Sequence, residues 1–171
     1  MCVIIIKDKG IQMPCIEILR ACAAANPDGF GFVSERDYYK TMCIDRYLDR
    51  LAMVNKDEAC ILHFRLATHG SKRRGNCHPF KKGDLYFAHN GILPIVPDYD
   101  KTDSETAFKR YLAKPAHIYG IRSWQLKRAV DAIIGTSKFA FMRDGEIAKF
   151  GSFVTIDGVQ YSNTRWQVYM R

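Results

Sequence analysis

The chain has 171 residues and a net charge of +8, from 26 Lys and Arg against 18 Asp and Glu. Its 47% hydrophobic and 26% charged residues supply enough apolar mass for a packed core, which excludes long disorder. No apolar run approaches the roughly 20 residues that a membrane helix needs.

Taken in chain order, Val3–Ile6 is β-branched and continuous, the pattern of a buried strand. It follows no basic leader, so a cytoplasmic location is the expectation. Pro14 can open a helix. Ile16, Leu19, Cys22 and Ala23 then form an apolar stripe that ends near Asn26-Pro27. Asp28-Gly29 reads as a turn and Phe30–Val33 as the next strand. Tyr47 to Val54 predicts a second helix. Strands are predicted over Ala59–Ala67 and Leu85–Ala88, and helices over Ser104–Leu112 and Trp124–Ile134. Two hairpins follow, Phe139–Met142 with Ile147–Phe150 and Phe153–Ile156 with Val159–Tyr161, the second turning on Asp157-Gly158. No linker or repeat divides the chain, so residues 1–171 are expected to form a single domain.

The six cysteines lie at 2, 15, 22, 43, 60 and 77. Without a secretion signal a disulfide framework is not expected. Cys60-x-x-His63 with Cys77-His78 could supply zinc ligands on paper, but adjacent Cys77 and His78 suit one tetrahedral site poorly. The expectation is therefore no metal. The basic clusters, Lys72-Arg73-Arg74 and Lys81-Lys82 among them, suit anionic partners or an ordinary solvated surface; no nucleic-acid motif accompanies them.

Four segments can carry chemistry. Cys2 follows Met1, and a small second residue permits removal of the methionine. The chain would then begin with a thiol of pKa about 8.5 beside an α-amine of pKa about 7.7–8.0, a nucleophile with its base attached. The plain alternative is a cysteine that merely feeds a strand. Arg65 stands at a strand end before Thr68-His69-Gly70 and could grip a carboxylate bidentately or join a surface ion pair. Asn90-Gly91 could be a turn or a pair of donors aimed at one oxygen. Asp103-Ser104-Glu105 opens a helix, as a cap or as a site for a substrate ammonium.

The order of these segments is more telling than any one of them. Cys2, Asp28-Gly29-Phe30-Gly31, Arg65-x-x-Thr68-His69-Gly70, Asn76-Cys77-His78-Pro79-Phe80, His89-Asn90-Gly91 and Asp103-Ser104-Glu105 together resemble the glutaminase domain of class-II glutamine amidotransferases, which are N-terminal-nucleophile hydrolases. The stretches at 26–32 and 76–80 look closest to the stand-alone branch. The resemblance implies an α+β fold, a four-layer αββα sandwich of two antiparallel sheets flanked by helices. It implies Cys2 as nucleophile and Asn90 and Gly91 as the oxyanion hole. Arg65 would hold the substrate α-carboxylate and Asp103 its α-ammonium. Thr68, His69 and Gly70 would line the pocket, and His78 would shape it; His63 and His89 would be ordinary strand histidines. The substrate implied is glutamine or a γ-glutamyl amide, without a cofactor, and any ammonia acceptor would be a separate enzyme. The segment Tyr161–Trp166 matches the family only loosely.

Two other classes stay in view. One is a catalytically silent member of the fold serving as a basic module for a protein or nucleic acid. The other is a small zinc protein. Under the enzyme reading, Lys72-Arg73-Arg74 is either a solvated loop or a basic rim for a partner, and not part of the chemistry.

Overall fold

The computed structural model describes residues 2–68 and 70–170. His69, expected in the substrate pocket, lies outside the described residues.

Two antiparallel sheets carry the molecule. The first has the strands β1 (Val3–Lys7), β2 (Phe30–Ser34), β3 (Tyr38–Thr41), β4 (Cys60–Phe64), β9 (Val154–Ile156) and β10 (Val159–Tyr161), in the order β3-β2-β4-β1-β10-β9. The second has β5 (Phe80–Lys82), β6 (Leu85–Asn90), β7 (Lys138–Arg143) and β8 (Glu146–Phe150), in that order. Helices α1 (Ile16–Ala25) and α2 (Ile44–Leu51) cover the first sheet. A helical run of α3 (Asp103–Ala107), a π turn (Phe108–Leu112) and α4 (Ala113–Tyr119), with α5 (Trp124–Asp131), covers the second. This is the expected four-layer αββα sandwich.

The period-two alternation of strands explains why β1 and β4 read as unbroken apolar runs. Val3, Ile5, Cys60, Leu62 and Phe64 pack into the helix layer of the first sheet. Ile4, Ile6 and Ile61 face the other way, into the core between the sheets. Small residues there, Ala59, Ala88 and Ala140, let the two sheets approach. Phe87, Phe139 and Phe141 fill the layer between the second sheet and its helices.

The two C-terminal hairpins form as expected. Arg143 pairs with Glu146 and Ile156 with Val159. The turn residues Asp144-Gly145 and Asp157-Gly158 all have positive φ, as a type I′ turn requires.

Several elements depart from the sequence reading, among them the unpredicted strand β3, which pairs with β2. Helix α2 starts at Ile44, three positions before the expected Tyr47, and ends at Leu51. The second sheet has an extra edge strand, β5, joined to β6 by Gly83-Asp84. The helix expected to stop at Leu112 continues to Tyr119. The continuation takes in Pro115, whose nitrogen cannot donate to the carbonyl four residues back. The π turn directly upstream absorbs that misfit, and the helix resumes.

Candidate active site

Cys2 precedes β1 at the edge of the sandwich core. Its Sγ meets the segment leaving β4: the Leu66 amide donates to Sγ at 3.3 Å, and Sγ donates to the Leu66 carbonyl at 3.4 Å. Burial pushes the Cys2 thiol up; the Leu66 amide and the Arg65 charge pull against that without cancelling it. The thiol is therefore protonated near neutral pH and needs a base to react.

Arg65 is 3% exposed. Its backbone amide donates to the Gly29 carbonyl at 2.8 Å, and its carbonyl accepts from Asp28 at 2.9 Å. The Asp28-Gly29 turn thus fixes the position of Arg65. Asp28 also braces the segment beyond Arg65: its carboxylate accepts from the Ala67 amide at 2.9 Å and pairs with Lys72 at 2.6 Å. Burial opposes ionisation of Asp28, but Lys72, the Ala67 amide and Arg65 outweigh it and hold the carboxyl below its usual range. Gly31 is required one strand position on, because a Cβ there would lie 2.0 Å from the His78 carbonyl oxygen.

Asn90 ends β6 on the face turned toward the first sheet. Its Nδ2 donates to Ser162 Oγ at 2.9 Å, which leaves the second N–H of the amide uncommitted. Gly91 follows at φ 144°, and a Cβ there would fall 2.1 Å from Ser137 Oγ. Only glycine fits.

Asp103 is the first residue of α3, and it does not cap that helix. Thr102 does, accepting from the Glu105 amide at 3.1 Å. The Asp103 carboxylate is instead held from two sides. Leu93 N donates to Oδ2 at 2.9 Å, and the Ser104 amide and hydroxyl donate to Oδ1 at 2.7 and 3.1 Å.

Cys2, Arg65, Thr68, His78, Gly91 and Asp103 line one cleft, together with His89. Asn90 and Gly70 adjoin it without lining it. The cleft is tight, about 30 Å³. A roomier cavity of about 540 Å³ lies at the far end of the sandwich around Tyr38, Tyr86 and Asp144. The small cleft is the candidate because thiol, guanidinium, carboxylate and glycine converge there.

Two positions that the sequence reading set aside prove to be structural supports of this site. Ser162 holds Asn90 and also accepts from the Ile4 amide at 2.8 Å. Asn163 Nδ2 donates to the Cys2 carbonyl at 2.8 Å. Both belong to the loosely matching segment after β10, and the alignment of that segment with β1 is visible only in the fold.

Three buried imidazoles cluster at the cleft. The rings of His63 and His78 are tilted with centroids 4.2 Å apart, and His89 lies 6.4 Å from His78. Burial depresses all three, His63 to about 3 and His89 to about 4, so they are neutral at physiological pH. Among the described residues, no group of three or more His, Cys, Asp and Glu is arranged to hold a metal, and no helix is long and apolar enough to cross a membrane.

Within the basic triplet, Lys72 pairs with Asp28, and Arg73 pairs with Asp100 at 2.9 Å. These two are fasteners of the loops that frame the cleft.

The family model for glutamine amidotransferases class-II matches residues 1–148. Among solved structures, the chain is similar to one described as the allosteric regulatory enzyme of purine biosynthesis, at 18% identity and TM-score 0.61, over 99% of this chain and 43% of that one. The chain thus spans less than half the length of that structure, and the likeness bears on the fold alone. The family match covers most of the chain, including every described residue of the cleft: this chain belongs to the class-II glutamine amidotransferases.

Proposed function

We propose that the chain is an N-terminal cysteine amidohydrolase that cleaves the side-chain amide of glutamine or of a γ-glutamyl compound. The observation that carries this reading is the meeting, in one cleft, of Cys2 with Arg65 and Asp103. A cation and an anion facing one thiol suit an α-amino acid head group, with carboxylate on Arg65 and ammonium on Asp103.

The active form begins at Cys2, after loss of Met1. Its α-amine accepts the thiol proton, and the sulfur attacks the amide carbon. The carbonyl oxygen gains negative charge, stabilised by the Asn90 side chain and the Gly91 amide. The C–N bond breaks as the leaving nitrogen takes the proton, and ammonia or an amine departs. Water, deprotonated by the same amine, then attacks the γ-glutamyl thioester, the C–S bond breaks, and glutamate and the thiol are regenerated. Thr68 borders the head group, and His78 shapes the back of the cleft.

In this reading the chain acts from Cys2 onward as one cytoplasmic domain that uses no cofactor and releases ammonia or an amine, free or to an acceptor enzyme. The test is mass spectrometry of the native protein with glutamine. The expected result is a chain starting at Cys2, a thioester trapped on it by acid quench, and release of glutamate. A protein that retains Met1 yet turns over glutamine at the same rate would remove the α-amine from the mechanism.

A further inference from the structure

Asp103 is positioned by a relay that runs back into the protein. Its Oδ1 accepts from Ser104 Oγ at 3.1 Å, and Ser104 Oγ lies 2.7 Å from His89 Nδ1. A carboxylate only accepts, so the single hydroxyl proton of Ser104 is committed to Asp103. His89 must then be the donor in the second bond, from Nδ1–H to Ser104 Oγ. This fixes the His89 tautomer and leaves Nε2 without a proton. Among the described residues, Nε2 has no hydrogen-bond partner, so Ser104 is where the polar chemistry of this buried ring is directed.

The backbone explains why the ring reaches that hydroxyl. Leu85, Phe87 and His89 alternate onto the helix side of β6, and α3 begins against that side. The ring is 2% exposed and packs edge-on against Phe139 at 5.3 Å. His63 Nε2 donates to the His89 carbonyl at 3.0 Å, which holds the β6 backbone at this position.

We propose that His89 and Ser104 are positioning residues for recognition of the substrate α-amino group, aligning the Asp103 carboxylate through the relay His89 Nδ1–H, Ser104 Oγ–H, Asp103 Oδ1. The inference rests on the proposed role of Asp103. Its specific content is that the strand histidine next to the oxyanion hole serves head-group selection and does not exchange protons with Cys2.

The experiment compares two substrates, glutamine and glutaramate, which is glutamine without its α-amino group. The quantity read is the ratio of their kcat/KM values. In His89→Phe and in Ser104→Ala this ratio falls about tenfold, mainly through the KM for glutamine. In His89→Asn, whose amide N–H stands near the place of Nδ1–H, it stays within about twofold of the parent. A variant that is merely damaged loses activity on both substrates alike and leaves the ratio unmoved, which overturns the relay. The relay is also overturned if His89→Asn selects as poorly as His89→Phe. Asp103→Asn separates this failure from that of the underlying reading. If the ratio drops there but not in the relay variants, the relay alone is wrong; if it is unmoved in Asp103→Asn, the assignment of Asp103 fails and the relay falls with it.

Discussion

Ser162 Oγ sits between two backbones that are far apart in sequence: it accepts from the Asn90 side chain at 2.9 Å and from the Ile4 amide at 2.8 Å. One hydroxyl thus ties the end of β6 in the second sheet to β1, the strand that carries Cys2. The spacing between nucleophile and proposed oxyanion donor is set by a residue near the C-terminal end.

This geometry gives a graded pair of outcomes. Asn90→Ala removes a donor aimed at the developing charge and lowers kcat by about 10²–10³ with little change in KM. Ser162→Ala leaves the amide in place but untethered. We expect a loss of about tenfold in kcat and a stability cost of about 1–2 kcal/mol for the Ile4 amide left unpaired. Steady-state kinetics with urea melts check both; an Asn90→Ala defect confined to KM would make Asn90 a binding residue.

Covalent labelling should select Cys2. Cys22, Cys60 and Cys77 are buried, and burial pushes their thiols up. Cys15 and Cys43 are exposed and are the real competitors, but neither lines the cleft beside Arg65 and Asp103. After incubation with the glutamine-shaped electrophile diazo-oxo-norleucine, peptide mapping is expected to find the adduct on the Cys2 peptide. An adduct mainly on Cys15 or Cys43 rejects Cys2 as nucleophile.

Lys72→Glu places a second carboxylate against Asp28, which is 7% exposed and supports Ala67. Glutamine turnover is expected to fall about tenfold. Arg74 forms no ion pair among the described residues, and Arg74→Glu is expected to leave turnover near the parent level. Equal activity of the two variants would show that the Lys72–Asp28 bridge does not frame the site.

Gly91→Ala tests the close approach to Ser137. The added Cβ meets side chain and backbone together, with Ser137 Cα at 2.9 Å. Crowding plus an unfavourable backbone angle should cost about 2–4 kcal/mol. Pairing it with Ser137→Gly should recover only part of that, since the clash with the Ser137 backbone remains. Full recovery in a thermal melt would place the whole clash on the Ser137 side chain.

The buried imidazoles make stability fall with acid. The unfolded chain protonates His63, His78 and His89 below about pH 6.5, while the fold keeps His89 neutral down to about 4 and His63 to about 3. The unfolded state therefore binds more protons in this window, and stability drops as pH falls through it. Near pH 5 the slope from three groups reaches about 4 kcal/mol per pH unit. His63→Gln keeps a donor for the His89 carbonyl but does not titrate, so the slope should lessen by about a third. Urea midpoints between pH 4 and 7 measure it, and an unchanged slope would mean that His63 does not contribute.

What the sequence determined by itself was whatever depends on near neighbours. Strand alternation, the helical stripe of α1 and the two Asp-Gly turns follow from local sterics and the burial period. The motif order pointed to the family and to Cys2, Arg65, Gly91 and Asp103 as one site. Tertiary structure alone decided what supports those residues. Ser162, Asn163, Asp28 and Lys72 are polar residues with a choice of partners, and hydrogen bonds across 72 or 161 residues leave no periodic trace in the chain. For the same reason Lys72 and Arg73 read as a solvated loop or a basic rim: a charge run shows its sign, while its counter-ions, Asp28 and Asp100, are brought to it only by folding. His89 reads as a strand histidine and is one; the hydroxyl it faces comes from a helix that begins 14 residues later along the chain, and packing alone brings the two together.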